Sequence, residues 1–327
     1  MSDPTLEVRD LHCELGSRSS RAHILRGVNL NIEAGSIVAV LGANGAGKTT
    51  LVNVLSTLLP FTKGSVRIDG HDLATDPAGI RQSIALTGQY AAVDPILTGR
   101  ENLRYFGLLS GLTRAEAAER AAELLSQFGL EGAADRRVSD YSGGMRRRLD
   151  IAVSLMVPPS LLFLDEPTTG LDPASRADVW AMIKDLSHSG TAILLTTQYL
   201  EEADALADRI AVLAEGVVID EGTPQELKGR YGTPLCTVTF REDADADTFR
   251  RTITAEGYEL ADEAQAGPAP RVIAPNGYRD MVHILSLWNG SEDAIIDAAM
   301  TPPSLDDVYM AVADSGDVAQ KASGEKP

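Results

Sequence analysis

Two hydrophobic periods alternate along this chain. Residues 6–9 and 28–32 switch between apolar and polar side chains, the period of two that marks strands with one buried face, and they predict an antiparallel edge layer. Ile37–Leu41, Leu161–Asp165 and residues 192–196 are instead unbroken apolar runs of strand length, which predicts strands covered on both faces. Further strands are expected at residues 65–69 and 84–87, and a hairpin at 209–213 and 217–220 around Glu215 and Gly216. Helices are expected from Lys48 to about residue 58, over most of residues 100–156 (including an Ala/Glu-rich stretch at 114–128), and near 175–187. Buried strands interleaved with helices make an α/β fold.

The pattern changes after about Gly232. Strands at 235–241, 258–262, 271–274 and 293–299 alternate with helices at 246–256, 277–288 and 304–312. This β-α-β-β-α-β order is that of a ferredoxin-like sandwich. Pro302-Pro303 ahead of Ser304 and Asp307 reads as a helix start with a capping box. Residues 314–327 are small and polar and are expected to form a disordered tail. Two domains follow: residues 5–230, and a small C-terminal accessory α+β domain at 233–313.

Composition narrows the function. With 47 acidic against 29 basic residues the net charge is −18, and acidic residues dominate the final third. That field opposes approach to a nucleic-acid backbone or an anionic lipid surface, so neither nucleic acid nor a direct lipid anchor is expected. Cys13 and Cys236 are too few and too far apart for a disulfide framework or a metal site and read as packing residues. Residues 1–10 show no apolar segment behind a basic start, so no secretory signal is expected. No stretch reaches the ~20 apolar residues that a membrane helix requires.

Three segments carry chemistry. Gly42-Ala43-Asn44-Gly45-Ala46-Gly47-Lys48-Thr49, followed by Thr50, fits G-x-x-x-x-G-K-[ST] between a predicted strand and a predicted helix. Such a loop turns backbone N–H groups inward as an anion nest at the positive end of a helix. Lys48 is placed to reach the β- and γ-phosphates of ATP, and Thr49 to ligate Mg²⁺. The apolar run Leu161–Asp165 ends in Asp165 and Glu166, at the strand edge where open α/β sheets bind ligands. Asp165 suits the metal, and Glu166 suits polarising the attacking water. Tyr141-Ser142-Gly143-Gly144-Met145 then precedes the basic helical stretch Arg146-Arg147-Arg148-Leu149-Asp150 shortly before the acidic strand. The three arginines read as a solvated or signature-helix face and not as a nucleic-acid patch.

With that third segment the chain resembles the ABC ATPases, whose signature is usually L-S-G-G-Q followed by such a helix. The resemblance covers about residues 5–230 in order and spacing. It implies a P-loop NTPase fold with a RecA-like core, an antiparallel β edge layer and an α-helical subdomain. It assigns Gln89 to the Q-loop as a contact of Mg²⁺ and water, and Asp172 of Gly170-Leu171-Asp172 to the D-loop. It also implies a head-to-tail dimer, in which ATP on residues 42–50 of one copy is closed over by Ser142, Gly143, Gly144 and Met145 of a second copy. Ser142-Gly143-Gly144-Met145-Arg146-Arg147-Arg148, Thr196-Thr197-Gln198-Tyr199-Leu200 and residues 97–103 are similar to the daunorubicin/doxorubicin-resistance branch of exporter ATPases. So is the C-terminal stretch Ser304-Leu305-Asp306-Asp307-Val308-Tyr309. The resemblance implies an ATPase peripheral on the cytoplasmic side of the cell membrane, energising efflux of a drug, antibiotic or lipid-like compound through a separate integral permease. A soluble ABC ATPase acting in DNA repair or translation is the competing reading. Such proteins usually carry zinc sites, long charged insertions or two cassettes, and none shows here. A P-loop kinase or GTPase would lack the signature.

Two positions depart from the family pattern. Gln198 stands where a switch histidine is usual, and a Gln amide can hydrogen-bond a phosphate oxygen but cannot carry a proton near neutral pH. Glu166 is therefore expected to act alone as the base, with Gln198 positioning. Leu15 stands where an aromatic normally stacks on adenine, which leaves base stacking weak or supplied by His12 or His23.

Overall fold

The computed structural model describes residues 3–17, 20–88, 92–261 and 267–308. The chain divides into two compact units between Pro224 and Gln225, a few residues ahead of the compositional change at Gly232.

In the first unit, β1 (Leu6–Ser17) and β2 (Ser20–Ile32) form a long antiparallel hairpin. β3 (Ile37–Leu41) leads through the phosphate loop into α1 (Lys48–Leu55), and then come β4 (Lys63–Ile68) and β5 (His71–Asp72). The edge layer is the antiparallel sheet β2-β1-β4-β5. α1 stops short of residue 58 because Thr57 turns into the left-handed region (φ 67°), and the N–H groups of Leu58 and Leu59 fold back onto the Asn53 carbonyl.

After α2 (Pro77–Ser83) and β6 (Ile84–Thr87) the helical part begins. α3 (Gly99–Leu109) and α4 (Arg114–Gln127) each start at a reciprocal capping box, Thr98 with Glu101 and Thr113 with Glu116. α5 (Gly143–Ser154) is the signature helix. β7 (Leu161–Asp165), α6 (Pro173–His188), β8 (Ala192–Thr197), α7 (Leu200–Leu206), β9 (Arg209–Ala214) and β10 (Val217–Gly222) complete the unit.

The central sheet has the order β10-β9-β3-β8-β7-β6, parallel from β9 to β6, with β10 antiparallel at the edge. β3, β7 and β8 are buried at every residue, as continuous apolar runs predict when both faces are covered. One core joins the two sheets: Leu6, Leu11 and Leu30 of the edge layer pack with Val38, Phe163 and Leu194 of the central sheet and Leu51 and Leu55 of α1. β8 lies between β3 and β7, so the phosphate loop, Glu166 and Gln198 leave the same edge of three adjacent strands. Sequence order alone could not give that adjacency.

α8 (Pro224–Tyr231) begins at the division, and β11 (Leu235–Phe240), α9 (Asp243–Ala255), β12 (Arg271–Ile273), α10 (Tyr278–Ser286) and β13 (Ile295–Thr301) follow. Their sheet is antiparallel, in the order β12-β11-β13. The strand expected at 258–262 is reduced to one antiparallel bridge, Leu260 to Val272, on the outer side of β12. With that bridge the neighbour order is that of a split β-α-β sandwich. Phe240, Phe249 and Trp288 centre its core, with Phe240 and Trp288 ring centroids 4.9 Å apart. Ser304 and Asp307 form the expected reciprocal cap, and the chain is helical from 305 to 308. The tail expected at 314–327 lies outside the described residues. Cys13 and Cys236 are both buried, and burial pushes the Cys236 thiol up to about 11, which fits packing and not reactivity.

Candidate active site

The phosphate loop is shaped by β9. A Cβ on Gly42 would stand 2.4 Å from the Leu213 carbonyl oxygen, so only glycine lets the loop pass there. Gly47, with φ 109°, turns the chain into α1. The first-turn N–H groups of α1 have no partner within the helix and carry the positive end of its dipole. Ala43, Asn44, Gly45 and Thr49 are exposed, Thr50 is half-buried, and Ala46 packs into the core. Lys48 is buried and donates from Nζ to the carbonyls of Gly42 (2.7 Å) and Ala43 (3.1 Å). Burial pushes its pKa down, and the charges of Glu166 and Asp165 oppose that shift.

Asp165 ends β7 beside that loop. Its Oδ2 accepts from the Thr49 hydroxyl at 3.4 Å, and its Oδ1 accepts a short hydrogen bond from Thr196 on β8. A hydroxyl and a carboxylate meeting at a phosphate loop form a hard-oxygen set that fits Mg²⁺, which takes few protein ligands and keeps its waters. Gln89, the third oxygen donor named from sequence, lies outside the described residues.

Glu166, half-buried, leaves the strand in the left-handed region (φ 47°), an unfavourable setting for a residue with a Cβ. Its N–H donates to the Thr196 carbonyl (3.0 Å), and its Oε2 accepts from the Thr169 hydroxyl (3.3 Å). Gln198 follows β8 directly and is exposed. Its neighbour Tyr199 is fixed by an N–H bond to the Thr197 hydroxyl (2.9 Å) and by the Arg176 guanidinium 5.3 Å above its ring.

The signature segment is built as a helix start. The Ser142 oxygen accepts from the Met145 N–H (3.2 Å), which leaves its hydroxyl hydrogen and the first N–H groups of α5 to face outward. Gly144 is buried where α5 meets α6, and a Cβ there would stand 2.4 Å from Ser175 Oγ. Asp172 caps α6 by accepting from the Ser175 N–H (3.0 Å) and hydroxyl (2.6 Å), which hold its carboxyl below the usual range. Ser142–Met145 and residues 42–50 share no hydrogen bond among the described residues.

Leu15 is partly buried against the core. His12 and His23 are both held by carboxylates, Nε2 of His12 at 2.9 Å from Asp10 and Nε2 of His23 at 2.6 Å from Glu14.

Sequence reasoning missed the burial of five polar residues around this site. Arg147 is 8% exposed, so of the two readings of Arg146–Arg148, solvated or signature-helix face, the second applies to it. Its partner Asp150, and Thr168, Thr196 and Glu202, are buried as well. Glu202 of α7 accepts from the Thr168 hydroxyl (2.6 Å) and the Trp180 ring N–H (3.1 Å), tying the helix after Gln198 to the turn after Glu166. The i, i+3 spacing of Arg147 and Asp150 was the one readable signal, since such a pair shares a helix face.

The comparisons decide the family. The chain is 46% identical to the doxorubicin resistance ATP-binding protein DrrA of Mycobacterium tuberculosis, over 87% of each protein. The family model "ABC transporter" matches residues 25–169. The chain belongs to the ABC-transporter ATP-binding proteins. Within them it falls in the daunorubicin/doxorubicin-resistance branch, with 44% identity to the daunorubicin/doxorubicin resistance ATP-binding protein DrrA of Streptomyces peucetius over 92% of each protein. The structure of the ATP-binding cassette MJ0796, a dimer in a post-hydrolysis state bound to ADP and Pi, superposes with a TM-score of 0.60. It is 27% identical and covers 67% of this chain and 98% of its own. This ABC ATPase is thus an ATP-binding, ATP-hydrolysing subunit of an exporter. No helix among its described residues is long and apolar enough to cross a membrane.

Proposed function

We propose that two copies of this ABC ATPase close head to tail over two ATP molecules, and that hydrolysis drives a separate membrane permease exporting a drug, antibiotic or lipid-like compound. The observation that carries the reading is the meeting of Thr49 and Asp165 beside the phosphate loop, with Glu166 at the next position of the same strand end. In this reading Lys48 and the loop N–H groups bind the phosphates, and Glu166 orients and accepts a proton from the attacking water. Ser142, Gly143 and Gly144 of the second copy, with the N–H of Met145 fixing their turn, supply donors to the γ-phosphate. Asp172 keeps the α6 start in register beside the signature turn. Thr49, Asp165 and Gln89 would hold Mg²⁺, which when bound neutralises charge building up between the β- and γ-phosphates.

Gln198 offers an amide N–H to a γ-phosphate oxygen without contributing a proton. Gln198→Ala is expected to slow turnover about tenfold, the size of one lost hydrogen bond, with ATP affinity little changed. Phosphate-release kinetics beside equilibrium binding will show this, and an unchanged rate removes the role.

The dimeric cassette MJ0796 supports the dimer, and the resistance relatives support a drug-like cargo and a position on the cytoplasmic face of the membrane. A groove lined by Arg81, Leu86, Gly88, Phe106, Asp150 and Val157 suits a permease's cytoplasmic helix. Sedimentation tests the dimer: Glu166→Gln with ATP and magnesium is expected to run as a dimer and without nucleotide as a monomer. A species that stays monomeric with ATP, alone and beside its permease, overturns the reading.

A further inference from the structure

Arg147 is the most buried cation of the signature helix, and its hydrogen bonds converge on the catalytic turn. Nε donates to the Pro167 carbonyl at 2.7 Å, and a terminal nitrogen donates to the Asp165 carbonyl at 3.3 Å. Those two carbonyls flank Glu166, the residue in the left-handed region. The other terminal nitrogen donates to the Gly88 carbonyl at 2.8 Å, immediately before Gln89, and to the Asp150 carboxylate at 3.2 Å. Asp150 in turn accepts from the Ala92 N–H at 2.7 Å. One ion pair on α5 thus holds both flanks of Glu166 and also binds Gly88 and Ala92.

We propose that Arg147, supported by Asp150, is a positioning residue through which the signature helix sets the backbone of Glu166. The proposal rests on the reading of Glu166 as the base. The chemistry is specific to a guanidinium. Its planar fork donates to several carbonyls at fixed angles, which an ammonium on a flexible stem cannot reproduce. A left-handed Glu persists only where its surroundings over-determine it, and the two flanking carbonyls are where that constraint is applied. A shift of α5 is thereby transmitted to Glu166 inside the same copy.

The test uses the full chain. Arg147→Gln alone leaves Asp150 buried with an unpaired charge and can unfold the protein. The decisive variant is therefore Arg147→Gln/Asp150→Asn, which removes both charges and keeps an acceptor for the Ala92 N–H. Arg147→Lys keeps the charge without the fork, and Arg114→Gln on the surface is the control. ATP turnover is measured by phosphate release and nucleotide affinity by trinitrophenyl-ATP fluorescence. The double variant and Arg147→Lys are both expected to lose turnover by ~10- to 100-fold, as a small misplacement of a catalytic group costs, with affinity held within about threefold and the surface control unaffected.

In a Glu166→Gln background the same changes are expected to alter the residual rate less than about twofold, because residues acting as one unit are not additive. Turnover of the double variant within twofold of the parent overturns the proposal, and so does an equal loss of rate and affinity. A full additional loss in the Glu166→Gln background also overturns it, by showing that Arg147 acts independently of Glu166. Should Glu166→Gln itself keep the parental rate, the reading of Glu166 as base falls, and the proposal with it.

Discussion

Glu166→Gln is expected to reduce ATP turnover by about 10²–10⁴-fold, the range that a positioned general base contributes, while ATP still binds. The amide matches the carboxylate in size and can keep the hydrogen bond from the Thr169 hydroxyl, so the left-handed turn survives. What disappears is the ability to accept a proton, because a Gln amide has no basic site near neutral pH. Since no histidine occupies the switch position, Gln198 cannot take over that role. The measurement is single-turnover phosphate release beside nucleotide binding on the same preparation. A loss below tenfold would mean that water is activated elsewhere and would remove Glu166 from the mechanism.

The second large effect is expected at Lys48. Lys48→Met keeps the length of the side chain and removes a buried ammonium, so the chain should remain folded, whereas ATP affinity should fall by about 10–100-fold. That figure follows from losing a charge-assisted hydrogen bond of about 1.5–3 kcal/mol to phosphate. The ammonium already spans back to the carbonyls of Gly42 and Ala43, so it shapes the loop as well as facing the ligand site. Titration calorimetry with ATP, alongside circular dichroism, separates the two contributions. A folded Lys48→Met protein with unchanged affinity would show that the loop N–H groups alone bind the phosphates.

The two effects differ in what they remove. Glu166 should alter rate without binding, and Lys48 binding before rate. An interaction made only in the transition state lowers turnover without weakening substrate binding, whereas one made in both states weakens binding first.

Much of the site was legible because its chemistry is local in sequence. The phosphate loop needs its glycines, lysine and threonine within a few residues of a strand end, and Gly42–Thr49 supplies them where β3 ends and α1 begins. The acidic pair at the end of Leu161–Asp165 was readable for the same reason, and the capping box at Ser304 and Asp307 likewise. The strand at 258–262 was overestimated because alternation over a few residues reports the tendency to pair and not whether a partner edge is long enough to receive it. β12 has three residues, and the pairing shrank to the Leu260 bridge.

The sequence by itself determined the family and the strand–loop–helix framework, and it named the groups proposed to meet phosphate, metal and water, because each depends on short-range spacing. The tertiary structure decided the order of the sheet, which brings the ends of β3, β8 and β7 together, and the inward turn of Arg147 onto Gly88, Asp165 and Pro167. Both are long-range outcomes. Strand order is set by which crossovers pack, and an arginine in a basic run faces inward only where distant segments leave buried carbonyls that need a donor.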